Sequence, residues 1–153
     1  IIEEVLKFGA AYVIAFKTKI FNEPIDAFVY LMTAALGFAA MENTLYLIQP
    51  LLQGQTLETI VTSYMRFIGS SVLHVTTSGA LSVCIGLSFC KSFWVREMWV
   101  WVGLLIACLI HWAFNVFLII KDGSSAFLVL SSVWMVAIVL IIMLEKVKQN
   151  TCM

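Results

Sequence analysis

Five ionisable residues lie within apolar segments of this 153-residue chain, where they could carry out acid–base or metal chemistry. They are Glu3, Glu4, Glu42, His74 and His111, and they occupy four different apolar segments. An ionisable side chain at the centre of a bilayer costs at least ~2.5 kcal/mol, so such residues usually have a function. Glutamate and histidine act as general acids and bases, and both are ligands of catalytic zinc.

The composition predicts an all-α, polytopic transmembrane bundle. The chain is 62% hydrophobic with mean hydropathy +1.02, and only 12% of its residues are charged, whereas soluble domains have roughly 25%. The chain contains only two prolines and eight glycines, and this scarcity of helix-breaking residues favours long helices. The apolar runs do not alternate in polarity as the strands of a membrane β-barrel do. The net charge is zero, so the composition gives no argument for a nucleic-acid partner.

Five membrane helices are predicted, in one domain covering residues 1–153. Pro24 is predicted in the first turn of the second helix, and a polar loop is predicted from Pro50 to Glu58. The start at Ile1 has no initiator methionine or signal peptide, so we expect N-terminal segments to precede it. The predicted segments are Ile1 to about Phe16, Pro24 to Gln49, Thr59 to Phe89, Met98 to Ile120 (closed by Lys121-Asp122-Gly123) and Ser125 to Leu144.

The positions of the basic residues predict which side of the membrane each loop faces. Three pairs of basic residues fall on alternate loops between the predicted helices. Alternate loops lie on the same side of the membrane, and the positive-inside rule predicts that this side is cytoplasmic. These pairs are Lys17/Lys19, Lys91/Arg96 and Lys146/Lys148. Three tryptophans, Trp94, Trp99 and Trp101, are predicted to anchor the fourth segment at the interface.

The depth of the acidic and histidine residues places them together. Glu42 is 18 residues from Pro24, roughly 27 Å at about 1.5 Å per residue. His111 is 13 residues into its segment, roughly 20 Å from the cytoplasmic end. Glu3 and Glu4 lie about 20 Å from Lys17, and His74 is near the middle of the third segment. We therefore expect one site in the outer half of the membrane.

Neighbouring polar residues are predicted to orient this set. Lys7 shares a helix face with Glu3 and Glu4 and can pair with both, either as an interfacial salt bridge or to tune a general base. Thr77 and Ser78 follow His74 at i+3 and i+4, and Asn115 follows His111 at i+4.

Arg66 and the four cysteines have simpler interpretations. Arg66 is predicted to snorkel to the interface, with the alternative that it holds a substrate carbonyl or an acid of the site. The cysteines are predicted to be free thiols, because no CxxC spacing is present. They are Cys84, Cys90, Cys108 and Cys152.

Together these motifs resemble the PrsW family of intramembrane proteases, within the superfamily that includes the CAAX prenyl endopeptidases and bacteriocin-immunity-type membrane proteins. Ala27 departs from the glycine expected at that position, without affecting an acid or base. Glu42 stands where the CAAX proteases have histidine. The matching residues are Glu3-Glu4-x-x-Lys7, Glu23-Pro24-Ile25-Asp26, Tyr30, Gly37 to Asn43, Tyr46, His74 with Thr77, and His111 to Asn115.

The resemblance implies an intramembrane endopeptidase that cleaves a membrane-bound protein, such as an anti-sigma factor, near the outer side of a prokaryotic cytoplasmic membrane. Glu3 or Glu4 would activate water, His74 and His111 would support it, and Asn115 would face the oxyanion. Lys7, Asn43, Arg66 and Thr77 would orient the site or the substrate. Glu42, His74 and His111 could hold zinc. A metal-free glutamate mechanism uses the same residues.

Two other functions remain open from the sequence. A non-catalytic relative would keep the fold for binding or immunity. A haem protein would use His74 and His111 as axial ligands, which leaves the three glutamates unexplained.

Overall fold

The computed structural model describes residues 1–120 and 126–149, and all regular elements in these residues are helical. The predicted loop at Lys121-Asp122-Gly123 and Cys152 lie outside the described residues. Helix α1 (Ile2–Ala11) continues through a π-helical turn (Tyr12–Phe16), and α2 covers Asp26–Leu52. Helix α3 (Thr56–Arg66), a π turn (Phe67–Ser71) and α4 (Val72–Ser88) form one continuous rod. Helices α5 (Phe93–Ile120) and α6 (Ala126–Lys148) complete the bundle.

Four of these helices are long and apolar enough to cross a bilayer. They cover Asp26–Leu52, Thr56–Ser88, Phe93–Phe117 and Phe127–Lys148. Their outward surfaces are rich in large exposed apolar side chains, as expected for helices that have lipid as their solvent. The protein is therefore an integral membrane protein. The predicted first segment is also helical, from Ile2 to Phe16, but it is shorter than these four spans.

The helix boundaries differ from the predicted ones at both prolines. Pro24 lies in a turn two residues before α2, whose first helical residue is Asp26. The Asp26 side chain accepts hydrogen bonds from the backbone N–H groups of Asn22 (2.9 Å) and Glu23 (2.8 Å), which fixes this turn. Pro50 lies inside α2. The last helical residue, Leu52, follows shortly after it, so the missing proline N–H costs only one hydrogen bond near the helix end.

Helix α4 is the central element, and nearly all of its residues are buried. Small residues let its neighbours approach closely, as is common between membrane helices. A Cβ on Gly103 of α5 would lie 2.8 Å from the Leu81 side chain, and one on Gly86 would lie 2.5 Å from Val147 of α6. Leu31 of α2 packs against Leu81 in the same core. Helix α4 therefore carries His74 into the middle of the bundle.

The cysteines follow the prediction in part. Cys84 and Cys108 are free, whereas Cys90 is disulfide-bonded, so the prediction of a free thiol is wrong for Cys90.

Candidate active site

The predicted acids and histidines converge, because α1, α2, α4 and α5 each contribute side chains to one cluster. Glu3 and Glu4 come from the first turn of α1, Glu42 from α2, His74 from α4 and His111 from α5. The two imidazole rings meet edge to face with centroids 5.4 Å apart. Glu3, Glu42 and both histidines line one cavity of about 530 Å³, which is within the usual range for ligand sites.

Glu4 is enclosed within this cluster. Its side chain is 1% exposed. Its Oε1 atom accepts hydrogen bonds from Lys7 Nζ (2.7 Å) and Thr77 Oγ1 (3.1 Å), and it lies 2.5 Å from His111 Nδ1. A carboxylate on one ring nitrogen fixes the imidazole orientation and leaves the other nitrogen for a metal or substrate. Glu4 therefore supports His111.

Glu3 has the opposite environment, although it is the next residue. Its side chain is 37% exposed and lines the cavity. Its Oε2 atom is buried and has no hydrogen-bond partner among the described residues, although His111 Nε2 lies 3.3 Å away. A buried carboxylate oxygen without a hydrogen bond is costly unless something else pairs with it.

Lys7 joins α1 to α4. The residue is 2% exposed, and its amine lies 2.7 Å from Glu4 Oε1, 3.1 Å from Thr77 Oγ1 and 3.4 Å from His74 Nδ1. Among the described residues Lys7 forms an ion pair with Glu4 alone, rather than with both glutamates as expected. Thr77 was expected to orient the His74 ring, but it contacts Glu4, Lys7 and the His74 backbone carbonyl instead.

Glu42 faces the other edge of the His74 ring. Its Oε2 atom lies 2.9 Å from His74 Nε2, 3.0 Å from Arg66 and 3.3 Å from Ser70 Oγ. Phe38, one turn earlier on α2, contacts the same ring with centroids 5.5 Å apart. Glu42 therefore orients the His74 ring through Nε2, and Lys7 Nζ lies 3.4 Å from Nδ1.

Arg66 turns into the cavity, so the prediction that it snorkels to the interface is wrong. The guanidinium forms an ion pair with Glu42, donates to Asn43 Oδ1 (2.9 Å) and stacks on the Tyr46 ring at 3.7 Å. Asn43 donates in turn to Ser71 Oγ (3.0 Å). The Glu42 carboxylate attracts the Arg66 guanidinium inward, and partial burial of the pair strengthens the Coulomb attraction between them.

The π turn after α3 brings these groups to one face. Eight residues separate Arg66 from His74, and a regular α-helix rotates through about 80° beyond two full turns over that distance. The wider turn at Phe67–Ser71 offsets this rotation, and Arg66, Ser70 and His74 all line the cavity. Such π turns often occur at functional sites. Sequence reasoning missed Ser70, although its i+4 spacing from Arg66 and to His74 was a usable signal.

Asn115 lies where its spacing predicted. It lines the same cavity one turn after His111, next to apolar walls. The apolar lining includes Met65, Leu73, Phe114 and Leu130.

The metal-ligand geometry departs from the expected set. Among the described residues, the donor atoms of Glu3, His74 and His111 lie within 4.8 Å of one another. Glu3 thus takes the place that the sequence assigned to Glu42, whose Oε2 atom is engaged by Arg66 and His74. Two histidines and one glutamate are a known ligand set of catalytic zinc. The unpartnered oxygen of Glu3 and the donor set together fit a divalent metal ion.

Comparison with known families agrees with this site. A family model described as PrsW family intramembrane metalloprotease matches residues 1–143. The chain belongs to the PrsW family. It is 29% identical over 154 residues to Protease PrsW of Geobacillus kaustophilus (strain HTA426). That alignment includes 97% of this chain and 60% of the relative, so the chain spans about 60% of the relative's length. No solved structure matches the chain.

The PrsW family match covers α1 to α5 and most of α6, and so it includes every residue of the cluster. The family is described as a metalloprotease family, and the donor atoms of Glu3, His74 and His111 are a possible metal-binding group.

Proposed function

We propose that this chain is the catalytic part of a metal-dependent endopeptidase that hydrolyses a peptide bond of a membrane-bound protein. The observation that carries the proposal is the group of Glu3, His74 and His111, with its unpartnered glutamate oxygen, at a cavity in the described part of a membrane bundle. The membrane would be the cytoplasmic membrane of a prokaryote, and an anti-sigma-factor-like protein is the substrate class that the resemblance implies.

The charges of the cluster favour a bound cation. Three carboxylates, Glu3, Glu4 and Glu42, face two basic side chains, Lys7 and Arg66, which leaves one negative charge when the imidazoles are neutral. Burying uncompensated charge is expensive in a bilayer. Glu3, His74 and His111 would hold a zinc ion, which would act as a Lewis acid on the scissile carbonyl and make water more acidic.

Glu42 is the carboxylate that we assign to proton transfer. It lines the cavity beside His74, with 22% of its side chain exposed, whereas Glu4 is enclosed and Glu3 belongs to the metal group. The water oxygen adds to the carbonyl carbon as a proton passes to Glu42. Glu42 then gives that proton to the amide nitrogen as the C–N bond breaks, which leaves a carboxylic acid and an amine.

Other residues of the cavity would stabilise and orient the reacting groups. The Asn115 amide is a donor for the developing oxyanion. Arg66 holds Glu42 in place through the 3.0 Å ion pair, and Asn43 orients Arg66 by accepting its 2.9 Å hydrogen bond. Lys7 and Thr77 hold Glu4, which orients His111.

A metal-free mechanism remains the second candidate, because the same Glu3 oxygen could act directly as the general base. The haem alternative is disfavoured by the geometry. The His74 and His111 rings are in edge-to-face contact at 5.4 Å, and carboxylate oxygens of both adjacent glutamates lie within 3.3 Å of the His111 ring nitrogens. A porphyrin between the rings would have to separate all of these contacts.

Mapping of protein termini tests the proposal without a known substrate. Cells that express the full-length protein are compared with cells that express Glu42→Gln or His74→Ala, and new protein termini are mapped by mass spectrometry. We expect termini in membrane proteins, near the outer edge of a span, that are absent in both variants. Glu58→Gln, on exposed α3, is the matched control and keeps the termini. Unchanged termini in His74→Ala would contradict the proposal and favour a non-catalytic, immunity-type role.

A further inference from the structure

A second cavity, an aromatic groove, lies at the opposite end of α1 from the cluster of glutamates and histidines. Its volume is about 330 Å³, and it shares no lining residue with the catalytic cavity among the described residues. Helix α1 with its π turn forms one wall, and the first three turns of α5 form the other. Six aromatic side chains line it: Phe8, Tyr12, Phe16, Phe21, Phe93 and Trp101.

The lining of this groove changes from charged to apolar along α5. Arg96 and Glu97 lie near the start of the helix, and Val100, Trp101 and Leu104 follow toward the membrane interior. Arg96 and Leu104 are eight residues apart, which corresponds to about 12 Å along the helix axis. A phospholipid has the same order of charged head group and apolar chain over a similar distance.

Two oppositely charged residues, Arg96 and Glu97, lie at the mouth of the groove. Neither takes part in a salt bridge within the part of the chain that the structure describes. The guanidinium of Arg96 lies 5.5 Å from the Phe89 ring centroid, and Lys17 lies 4.9 Å from the Tyr12 ring centroid on the α1 side. The groove therefore presents a cation and an anion side by side at its polar end.

We infer that this groove binds one phospholipid with a primary ammonium head group, of the phosphatidylethanolamine type. The phosphate pairs with Arg96, the ammonium donates to Glu97, and one acyl chain lies against the aromatic wall. Phosphatidylglycerol has no cation for Glu97. Phosphatidylcholine has a cation without an N–H donor. Charge complementarity at the mouth thus selects among lipids that share the same chains.

Fluorescence quenching tests this inference directly. The full-length protein in detergent micelles is titrated with phosphatidylethanolamine, phosphatidylglycerol or phosphatidylcholine that carry brominated acyl chains. The signal of Trp101 is isolated by subtracting the quenching measured in Trp101→Phe, since the chain has five tryptophans. We expect phosphatidylethanolamine to quench Trp101 at about fivefold lower mole fraction than the other two lipids. This factor corresponds to the contribution of one additional charge contact near a membrane surface.

Variants at the mouth separate the two contacts. Glu97→Gln is expected to abolish the preference for phosphatidylethanolamine over phosphatidylglycerol, and Arg96→Gln to weaken both about fivefold. Lys91→Gln, an exposed basic residue in the same region that does not line the groove, is the matched control and keeps the wild-type order.

Three results would overturn the inference. One is equal quenching by the three lipids in the wild-type protein. Another is an Arg96→Gln protein that behaves like Lys91→Gln. The third is displacement of brominated lipid by water-soluble phosphoethanolamine at equal concentration, which would show that the acyl chain contributes nothing.

Discussion

Glu3 and Glu4 are neighbours in sequence, but their side chains have different surroundings. Glu4 accepts from Lys7 and Thr77 and contacts His111 Nδ1, and it is 1% exposed. Glu3 lines the cavity and leaves a buried oxygen without a hydrogen bond in the described structure. The first glutamate of the pair is therefore the ligand in our proposal, and the second supports the ligand His111.

Metal affinity distinguishes these two roles. Glu4→Gln removes a group that orients a ligand, which typically weakens metal binding by roughly 10- to 100-fold. Glu3→Gln removes a ligand itself, so we expect a larger loss. Zinc competition titrations on the purified full-length protein measure both, with Glu58→Gln as the control. Equal affinity of Glu3→Gln and wild type would remove Glu3 from the metal site.

Lys7 is predicted to stabilise the bundle as well as the site. Lys7→Met leaves the enclosed Glu4 carboxylate without its cation, and breaking a buried pair in this way costs about 3–5 kcal/mol. Reversible unfolding in mixed micelles measures the loss. Lys19→Met, at an exposed position, is expected to change stability by less than about 0.5 kcal/mol. Equal losses in the two variants would show that the Lys7 pair contributes nothing.

The sequence predicted which residues converge better than it predicted the contacts that each of them makes. The cost of burying charge and the helical spacing indicated Glu3, Glu4, Glu42, His74 and His111. Neither could show that Arg66 turns inward, because that depends on where α2 places Glu42. The sequence also could not show that Glu3, rather than Glu42, lies with His74 and His111 in the metal group. That placement depends on the rotation of α1 against α5.

At the scale of elements, close packing on α4 sets the distance between the two histidines. His74 lies on α4 and His111 on α5, and these helices meet where Gly103 faces Leu81. A Cβ on Gly103 would be 3.2 Å from Leu81 Cα, and a backbone neighbour cannot move aside as a flexible side chain can. The small residue is therefore required for the approach of the two helices.

Gly103→Ala tests this packing. The added methyl group is expected to destabilise the bundle by about 1–3 kcal/mol through overpacking, and to weaken zinc binding because the histidines separate. Gly9→Ala is the matched control, since a Cβ there meets nothing within 4 Å. A helical alanine in open space is expected to be neutral or to stabilise by up to about 1 kcal/mol. Wild-type stability in Gly103→Ala would contradict the packing argument.

The elements themselves were largely predictable, and their ends were less so. Apolar runs of about 20 residues predicted the helices. The predicted break at Pro50 was placed too early, because α2 continues to Leu52. The π turn at Phe67–Ser71 was not predicted. Arg66 and Ser70 contact Asn43 and Glu42 of α2, and such long-range contacts are not visible in local residue preferences.

At the scale of the whole molecule, the catalytic cavity and the aromatic groove lie at opposite ends of α1. Glu3 at the start of α1 lines the first, and Phe16 at the end of its π turn lines the second. The basic residues Lys17, Lys91 and Arg96 occur near the groove end. The positive-inside rule then predicts that the groove faces the cytoplasm and the catalytic cavity lies toward the outer side.

Cysteine labelling measures this orientation. A cysteine at Gln53, between α2 and α3, is expected to react with a membrane-impermeant maleimide in intact cells. One at Ser92, between α4 and α5, is expected to react only after permeabilisation. The unmodified protein supplies the background from its native thiols. The opposite pattern would place the catalytic cavity toward the cytoplasm.

The measurement that tests the central claim most directly follows metal content and cleavage in one sample. The full-length protein in proteoliposomes is assayed on a membrane substrate found by terminus mapping, before and after chelation and after zinc is restored, with zinc counted per chain. We predict about one zinc ion per chain, loss of cleavage on chelation and recovery with zinc. His111→Ala should show neither zinc nor cleavage. Full cleavage by the chelated, zinc-free protein would contradict the metal centre proposed for Glu3, His74 and His111.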